Sequence, residues 1–444
     1  MATYIVFQKS SGSDLRALSV KYTEMSPKVR EERFRELSQL NLENPSRKKI
    51  IKVLDKYEEK GIVKPLTNYR NPGAISASVI KLPREEYVGA EEEQIGEIKD
   101  SLLDVAEVTK DKPIELISPV VPMARQSTTR LIHPIDGPNP DIKIREEELT
   151  EEDLWHLDRI RLSVCRERGF ELTGKNIKIG ILDTGIDGHH PALSGKVVES
   201  YKYSGDNFSK ESYPIDYYGH GTHVAGLICG RKVGVAEDAK LYSYVALPNR
   251  GKGTISSFIK AVNFASRNPE ISILNISVGF PGFASNEPLI KSLTKAFKEL
   301  RALDVLLVCA IGNEGRDHPC QPGTFREVIS VGSIKKGDRV SNFSAYGDMS
   351  IGSYPEQHYK VPTLVAPGED VYSSLLGGGY QKLSGTSMAA PIVSGIAALI
   401  LEKFKREEKA LDLLGLEEEI LARCDRLDDY HDRRQGRGVV QVEK

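Results

Sequence analysis

The chain has 444 residues, long for one compact unit and comfortable for two. Hydrophobic residues make up 39% and charged residues 28%, a balance that builds a core and excludes fibrous and disordered classes. With 61 Lys plus Arg against 63 Asp plus Glu the formal net charge is -2, so no bulk field recruits nucleic acid or a membrane surface.

No apolar run approaches the roughly 20 residues of a spanning helix, and the N-terminus reads as a strand over 3–7 rather than a secretory leader. The five cysteines (Cys165, Cys229, Cys309, Cys320, Cys424) are odd in number and lack CxxC spacing. They point to free thiols in a reducing compartment, with the cytoplasm as the expected location, and not to a disulfide framework or zinc site.

After the first strand, loose three- and four-residue spacing of apolar side chains predicts a helix over 14–42. A second helix over 46–60 opens with Ser46 after Pro45. A strand over 74–82, an acidic helix over 83–100 and a strand over 107–117 complete a small α+β domain, residues 1–117. Residues 118–141 hold Pro119, Pro122, Pro134, Pro138 and Pro140 and read as an extended connector, so 118–149 is a linker.

From 150 to 444 the pattern is α/β. Buried-strand runs at 177–182, 241–247, 271–278, 305–311 and 328–331 alternate with helical segments near 221–229, 255–267, 287–303 and 388–405. Near-continuous Ile/Val/Leu strands separated by helices predict a mainly parallel sheet covered on both faces.

Three segments carry chemistry-bearing residues. The first strand run ends in Asp183-Thr184-Gly185, at the carboxyl end of a strand where parallel sheets form their ligand crevice. The second is Gly219-His220-Gly221-Thr222-His223, where glycines leave His220 approachable. Two histidines three apart could ligate a metal, but the glutamate of HExxH and a clear third ligand are missing; His223 reads as a packed structural histidine. The third is Gly385-Thr386-Ser387-Met388-Ala389, in which Ser387 opens an apolar helix with Pro391 read as lying in its first turn. Such a serine can cap the helix, or act as a nucleophile whose own N–H stabilises an oxyanion. A serine nucleophile needs a base, and the base a carboxylate; the chain offers Asp183, His220 and Ser387 in that order. An α/β-hydrolase runs serine, acid, histidine, and only His431 follows Ser387. A dinucleotide-binding reading needs a Gly-x-Gly-x-x-Gly loop after Leu182, and none is there.

These motifs, in this order, closely resemble the signatures of the subtilisin-like serine peptidases (subtilases), with similarity running from about Trp155 to Val442. The resemblance implies Ser387 as nucleophile, His220 as general base then acid, and Asp183 as its orienting partner. It implies Asn313, in Gly312-Asn313-Glu314-Gly315, as the oxyanion-hole amide. It also implies that Gly251-Lys252-Gly253 and Ser277-Val278-Gly279 flank an extended protein or peptide substrate, with Ala310 and Gly312 walling the pocket before the scissile bond. Only residues 227–233 separate Gly226 from Gly234, so the longer calcium-binding loop of many secreted relatives is missing; no metal or cofactor is expected. By the same resemblance, residues 1–117 would be an intramolecular chaperone and inhibitor, cleaved within residues 117–145; a permanent docking domain is the competing reading. A catalytically silent subtilase fold used for binding is the alternative to an active endopeptidase, and the presence of all four chemical residues argues against it.

Overall fold

The computed structural model describes residues 144–204, 207–281, 287–349, 358–428 and 432–443. Of the N-terminal part it describes 2–8, 56, 63–65, 85–90, 106–110, 113–116, 120–121 and 130–131. The helices expected over 14–42 and 46–60 and the strand over 74–82 lie outside the described residues, apart from helical Lys56.

Strand β1 (Ala2–Gln8) is central in an antiparallel sheet with β2 (Val63–Pro65), β3 (Glu85–Ala90) and β4 (Ala106–Lys110), in the order β2-β3-β1-β4. The acidic helix expected over 83–100 is therefore corrected in its first part. Tyr87-Val88 carry strand-forming side chains, and backbone pairing of β3 to both β1 and β2 outweighs the helical bias of the flanking glutamates. The single strand expected over 107–117 is two: β4, and β5 (Pro113–Leu116), which joins another sheet. The Pro-rich connector contains a short antiparallel pair, Val120–Val121 with Arg130–Leu131.

The α/β part is built on an eleven-stranded sheet among the described residues. Its strands are β6 (Lys178–Asp183), β7 (Val197–Ser204), β8 (Asn207–Lys210), β9 (Lys240–Val245), β11 (Ile273–Ile276), β13 (Leu306–Ala310), β15 (Ile329–Lys335), β16 (Leu364–Pro367) and β17 (Val439–Val440), with Cys424–Asp425 and Arg339–Val340 at its margins. Two further strands, β10 (Lys252–Thr254) and β12 (Val278–Pro281), lie outside this sheet, and β14 (Cys320–Gln321) pairs with β12. The spatial order is β8-β7-β9-β6-β11-β13-β15-β16-β17, parallel from β7 to β17. The chain leaves β6 toward β7, returns through β9, then crosses to β11 on the other side. The direction of winding thus reverses between β6 and β11, and ligand crevices open at the carboxyl ends of strands at such a reversal.

Strand periodicity sends alternate side chains to opposite faces. Ile179 and Ile181 of β6 and Leu306 and Val308 of β13 pack with α1 (His220–Cys229) and α4 (Thr386–Arg406) on one face. Leu182 and Leu307 pack with α2 (Ile255–Ala265) and α3 (Glu287–Ala302) on the other. Each layer buries apolar area at roughly 25 cal/mol per Å², which explains why the strands read as unbroken apolar runs. Helix α2 starts at a capping box, Thr254 Oγ1 accepting from the Ser257 N–H while Ser257 Oγ accepts from the Thr254 N–H. Helix α4 has 21 residues and is long and apolar enough to cross a membrane, but 83% of its apolar window is buried inside the fold.

Candidate active site

Asp183 ends β6, and the adjacent β11 pairs Ile276 with Leu182, so Asp183 and Ser277 each follow the last paired residue at the carboxyl edge. His220 is the first residue of α1. Its Nδ1 lies 2.8 Å from Asp183 Oδ1 and 3.0 Å from Oδ2, and both side chains are 1% exposed. His220 Nε2 is buried and makes no hydrogen bond. The glycines around this pair are demanded by close approach. Gly185 has φ +116, and a Cβ on it would sit 2.0 Å from the Ile215 carbonyl oxygen. A Cβ on Gly221 would sit 2.0 Å from the Gly185 carbonyl oxygen.

Ser387 is the second residue of α4. Its Oγ donates to the Ser277 carbonyl at 3.0 Å, and Ser277 Oγ donates back to the Ser387 carbonyl at 3.1 Å. The reciprocal pair explains how Pro391 is accommodated, and corrects its expected place. Pro391 is the sixth helical residue, inside the helix and beyond its first turn. Its missing N–H would have bonded the Ser387 carbonyl four residues earlier, and the Ser277 hydroxyl substitutes for it. Beneath, Asn275 Nδ2 donates to Ser277 Oγ at 3.0 Å and Ser394 Oγ donates to Asn275 Oδ1 at 3.0 Å. This buried polar chain ends at Ser387, whose hydroxyl is turned to Ser277 and not to His220.

Asn313 follows β13 and is 5% exposed. Its Oδ1 accepts from the Thr386 N–H at 2.9 Å and from Thr386 Oγ1 at 3.0 Å, which fixes which end of the amide is oxygen. Thr386 Oγ1 also accepts from the Gly312 N–H at 3.1 Å. The α4 N-terminus, with first-turn amides that have no intrahelical acceptor, is thereby locked to the end of β13.

Gly251, Lys252 and Gly253 form the turn into and the first part of β10; Val278 and Gly279 open β12, with Ser277 just before it. Between them lies β5, antiparallel to both. Ile114 pairs with Gly253, Glu115 pairs with Lys252 and Gly279, and Leu116 pairs with Val278. Ala310 ends β13 and Gly312 follows it, while β14 pairs with β12 and Cys320 N–H donates to the Ile311 carbonyl at 2.7 Å. Cys320 thus ties together the two expected pocket walls; burial pushes its thiol up to about 12.

His223 faces away from this site. Its Nε2 lies 3.0 Å from the Gln381 carbonyl oxygen, and burial pushes its pKa down to about 3. Among the described residues no group of three or more His, Cys, Asp or Glu side chains is disposed to hold a metal ion.

Sequence reading missed Asp216, Thr184 and Thr222, which surround the acid–base pair, and Asn275 and Ser394, which underlie Ser387. A usable signal was an Asp two and three residues ahead of Tyr218 and Gly219 in a Gly-containing turn, the spacing at which a carboxylate collects backbone N–H groups.

The family model described as the Subtilase family matches residues 174–438. The chain belongs to the subtilase family. It is a subtilisin-like serine protease, a hydrolase of peptide bonds. It is 38% identical to the major intracellular serine protease of Bacillus subtilis (strain 168) over 249 residues, 53% of this chain and 72% of that one. It is 36% identical to an intracellular serine protease of Paenibacillus polymyxa, covering 51% of this chain and 67% of the relative. Subtilisin DY of Bacillus licheniformis is 36% identical over 254 residues, 55% of this subtilase and 83% of the relative. The family match lies within the α/β part; residues 1–173 lie outside it.

Proposed function

We propose that this serine endopeptidase works through Asp183, His220 and Ser387, with Asn313 completing the oxyanion site. The observation that carries the reading is His220, pinned through Nδ1 by Asp183 while Nε2 stays buried and unpaired. For attack, Ser387 Oγ leaves the Ser277 carbonyl and gives its proton to His220 Nε2 while bonding the substrate's acyl carbon. Asp183 stabilises the resulting imidazolium. The oxyanion takes hydrogen bonds from Asn313 Nδ2 and the Ser387 N–H. His220 then protonates the leaving amine, and a water deprotonated by His220 releases the acyl group. Gly251, Lys252 and Gly253 on one side and Ser277, Val278 and Gly279 on the other hold the substrate backbone, and Ala310 and Gly312 wall the pocket.

On this proposal the enzyme is a self-inhibited precursor with residues 1–117 as its tethered inhibitor, a partner kept at high effective concentration. The support is β5, which occupies the groove between β10 and β12 as a substrate strand would. Its register pairs Leu116 with Val278, the residue after Ser277, whose carbonyl meets Ser387 Oγ. Of the bonds in the 117–145 stretch, this favours Ile117–Ser118 as the one cut. Five free cysteines and the two relatives named intracellular support a cytoplasmic location, and the balanced charge supports neither nucleic acid nor membrane as partner.

The test is N-terminal sequencing of purified wild type beside Ser387→Ala, with fluorophosphonate labelling of both. Wild type is expected to label and to begin at Ser118, and Ser387→Ala to stay unlabelled and full length, with turnover lower by about 10⁶-fold, as for the subtilisin nucleophile. Failure of wild type to label rejects the active triad; an intact, labelled wild type rejects self-processing and favours a permanent docking domain.

A further inference from the structure

Asp216 lies outside the three motifs and is 4% exposed. Its Oδ1 accepts from Thr184 Oγ1 at 2.8 Å and from the N–H groups of Tyr218 and Gly219, each at 2.9 Å. Its Oδ2 accepts from the Thr222 N–H at 2.8 Å and from Thr222 Oγ1 at 2.5 Å. Thr184 follows Asp183 directly, and Tyr218 to Thr222 brackets His220. Thr184 Oγ1 in turn accepts from the Gly221 N–H at 3.0 Å, and Thr222 Oγ1 accepts from the Asp187 N–H at 2.9 Å. One buried carboxylate therefore joins the strand end that bears the acid to the turn that bears the base. Burial pushes the Asp216 carboxyl up, opposed by the Thr222 hydroxyl and the backbone donors; every one of these contacts uses the carboxylate as acceptor.

We propose that Asp216 is a positioning residue of the peptidase site, setting the distance and angle between Asp183 and His220 without touching substrate. The inference rests on the triad reading above and goes beyond it by assigning a function to a residue outside the family motifs that carry that reading. Acid–base catalysis needs the imidazole within about 0.5 Å of its productive place, and a misplacement of about 1 Å costs roughly 10²-fold. The Asp183–His220 contact alone does not fix the turn; the struts to Thr184, Tyr218, Gly219 and Thr222 do.

The experiment measures kcat and KM on a peptide amide for Asp216→Ala, Asp216→Asn, Thr184→Val and the Thr184→Val/Asp216→Ala pair, per site titrated with fluorophosphonate. Asp216→Ala is expected to lower kcat about 10²-fold with KM within about threefold. Asp216→Asn, which keeps an acceptor oxygen, is expected to recover roughly tenfold of that loss. Thr184→Val by itself is expected to lower kcat, and to lower it by a smaller factor in the Asp216→Ala background, where only its bond from the Gly221 N–H is left to lose. Should Asp216→Ala not fold, Thr184→Val and Thr222→Val decide, each removing one hydroxyl bond to Asp216 together with that hydroxyl's bond from the Gly221 or the Asp187 N–H. A kcat within twofold of wild type in both threonine variants, or within threefold in a folded Asp216→Ala, overturns the proposal, as does a loss carried by KM alone. A wild type that does not titrate rejects the triad reading instead, so the two failures separate.

Discussion

At the residue scale the site is a set of side chains with fixed ends. Thr386 holds Asn313 by its oxygen, so the amide's donor end has one orientation before substrate arrives, which is what pre-organised oxyanion stabilisation requires. Asn313→Leu, close in volume and without a donor, is expected to lower kcat by about 10²–10³-fold with KM little changed; steady-state kinetics on a peptide amide check it, and a loss confined to KM contradicts it. Glu402 shows the same economy in the frame. It is 3% exposed, and its Oε2 accepts from the backbone N–H groups of Thr173, Gly174 and Lys175 at 2.8, 2.6 and 3.2 Å while Oε1 pairs with Arg406. A buried carboxylate is tolerated there because both of its oxygens are paired with donors, one of them a guanidinium.

At the element scale the groove between β10 and β12 is a ladder completed by β5. Each main-chain hydrogen bond in such a ladder contributes about 1 kcal/mol. Residue 115 faces a partner on both sides, Lys252 and Gly279, so Glu115→Pro removes a donor and weakens the strand's hold. In the Ser387→Ala background, Glu115→Pro is expected to raise the affinity of the full-length chain for a fluorescent substrate peptide about fivefold; fluorescence anisotropy checks it, and unchanged affinity argues against occupancy of the groove by β5. Elements of this kind mark the limit of what sequence reveals. The strands ending at Asp183 and Ala310 and the helices starting at His220 and Thr386 were legible, because apolar runs and glycine turns are local signals. The destination of β5 was carried by the family resemblance and not by its own residues, since edge pairing depends on partners more than 130 residues away. Residues 85–90 misled because their glutamates favour helix while their pairing partners favour strand. Pro391 misled because its compensation comes from Ser277, in another element.

At the scale of the whole molecule, two buried histidines set its response to acid. His156, whose Nε2 lies 2.9 Å from the Val233 carbonyl oxygen, has its pKa pushed down to about 4 by burial, and His223 to about 3. Folded-state values below the unfolded 6.5 mean that the unfolded chain takes up protons that the folded chain refuses. Stability is therefore whole above about pH 6.5 and falls as pH drops toward 4. Linkage gives a loss on the order of 2 kcal/mol per histidine between pH 7 and pH 5. Urea denaturation of Ser387→Ala, which removes self-digestion on the triad reading, is expected to follow that fall. An unchanged midpoint between pH 7 and pH 5 contradicts it.

The paired serines at 277 and 387 have a consequence for how a ligand is sensed. The Ser277 carbonyl that holds the Ser387 hydroxyl stands one step before β12, where the next rung of a ladder to an incoming chain belongs. On the triad reading, an amide arriving there competes with the hydroxyl for the same oxygen. A peptide that fills the groove far enough thus unlatches the hydroxyl toward His220, whereas one that stops a residue short leaves the latch shut. The resting arrangement couples readiness for reaction to the length of chain engaged.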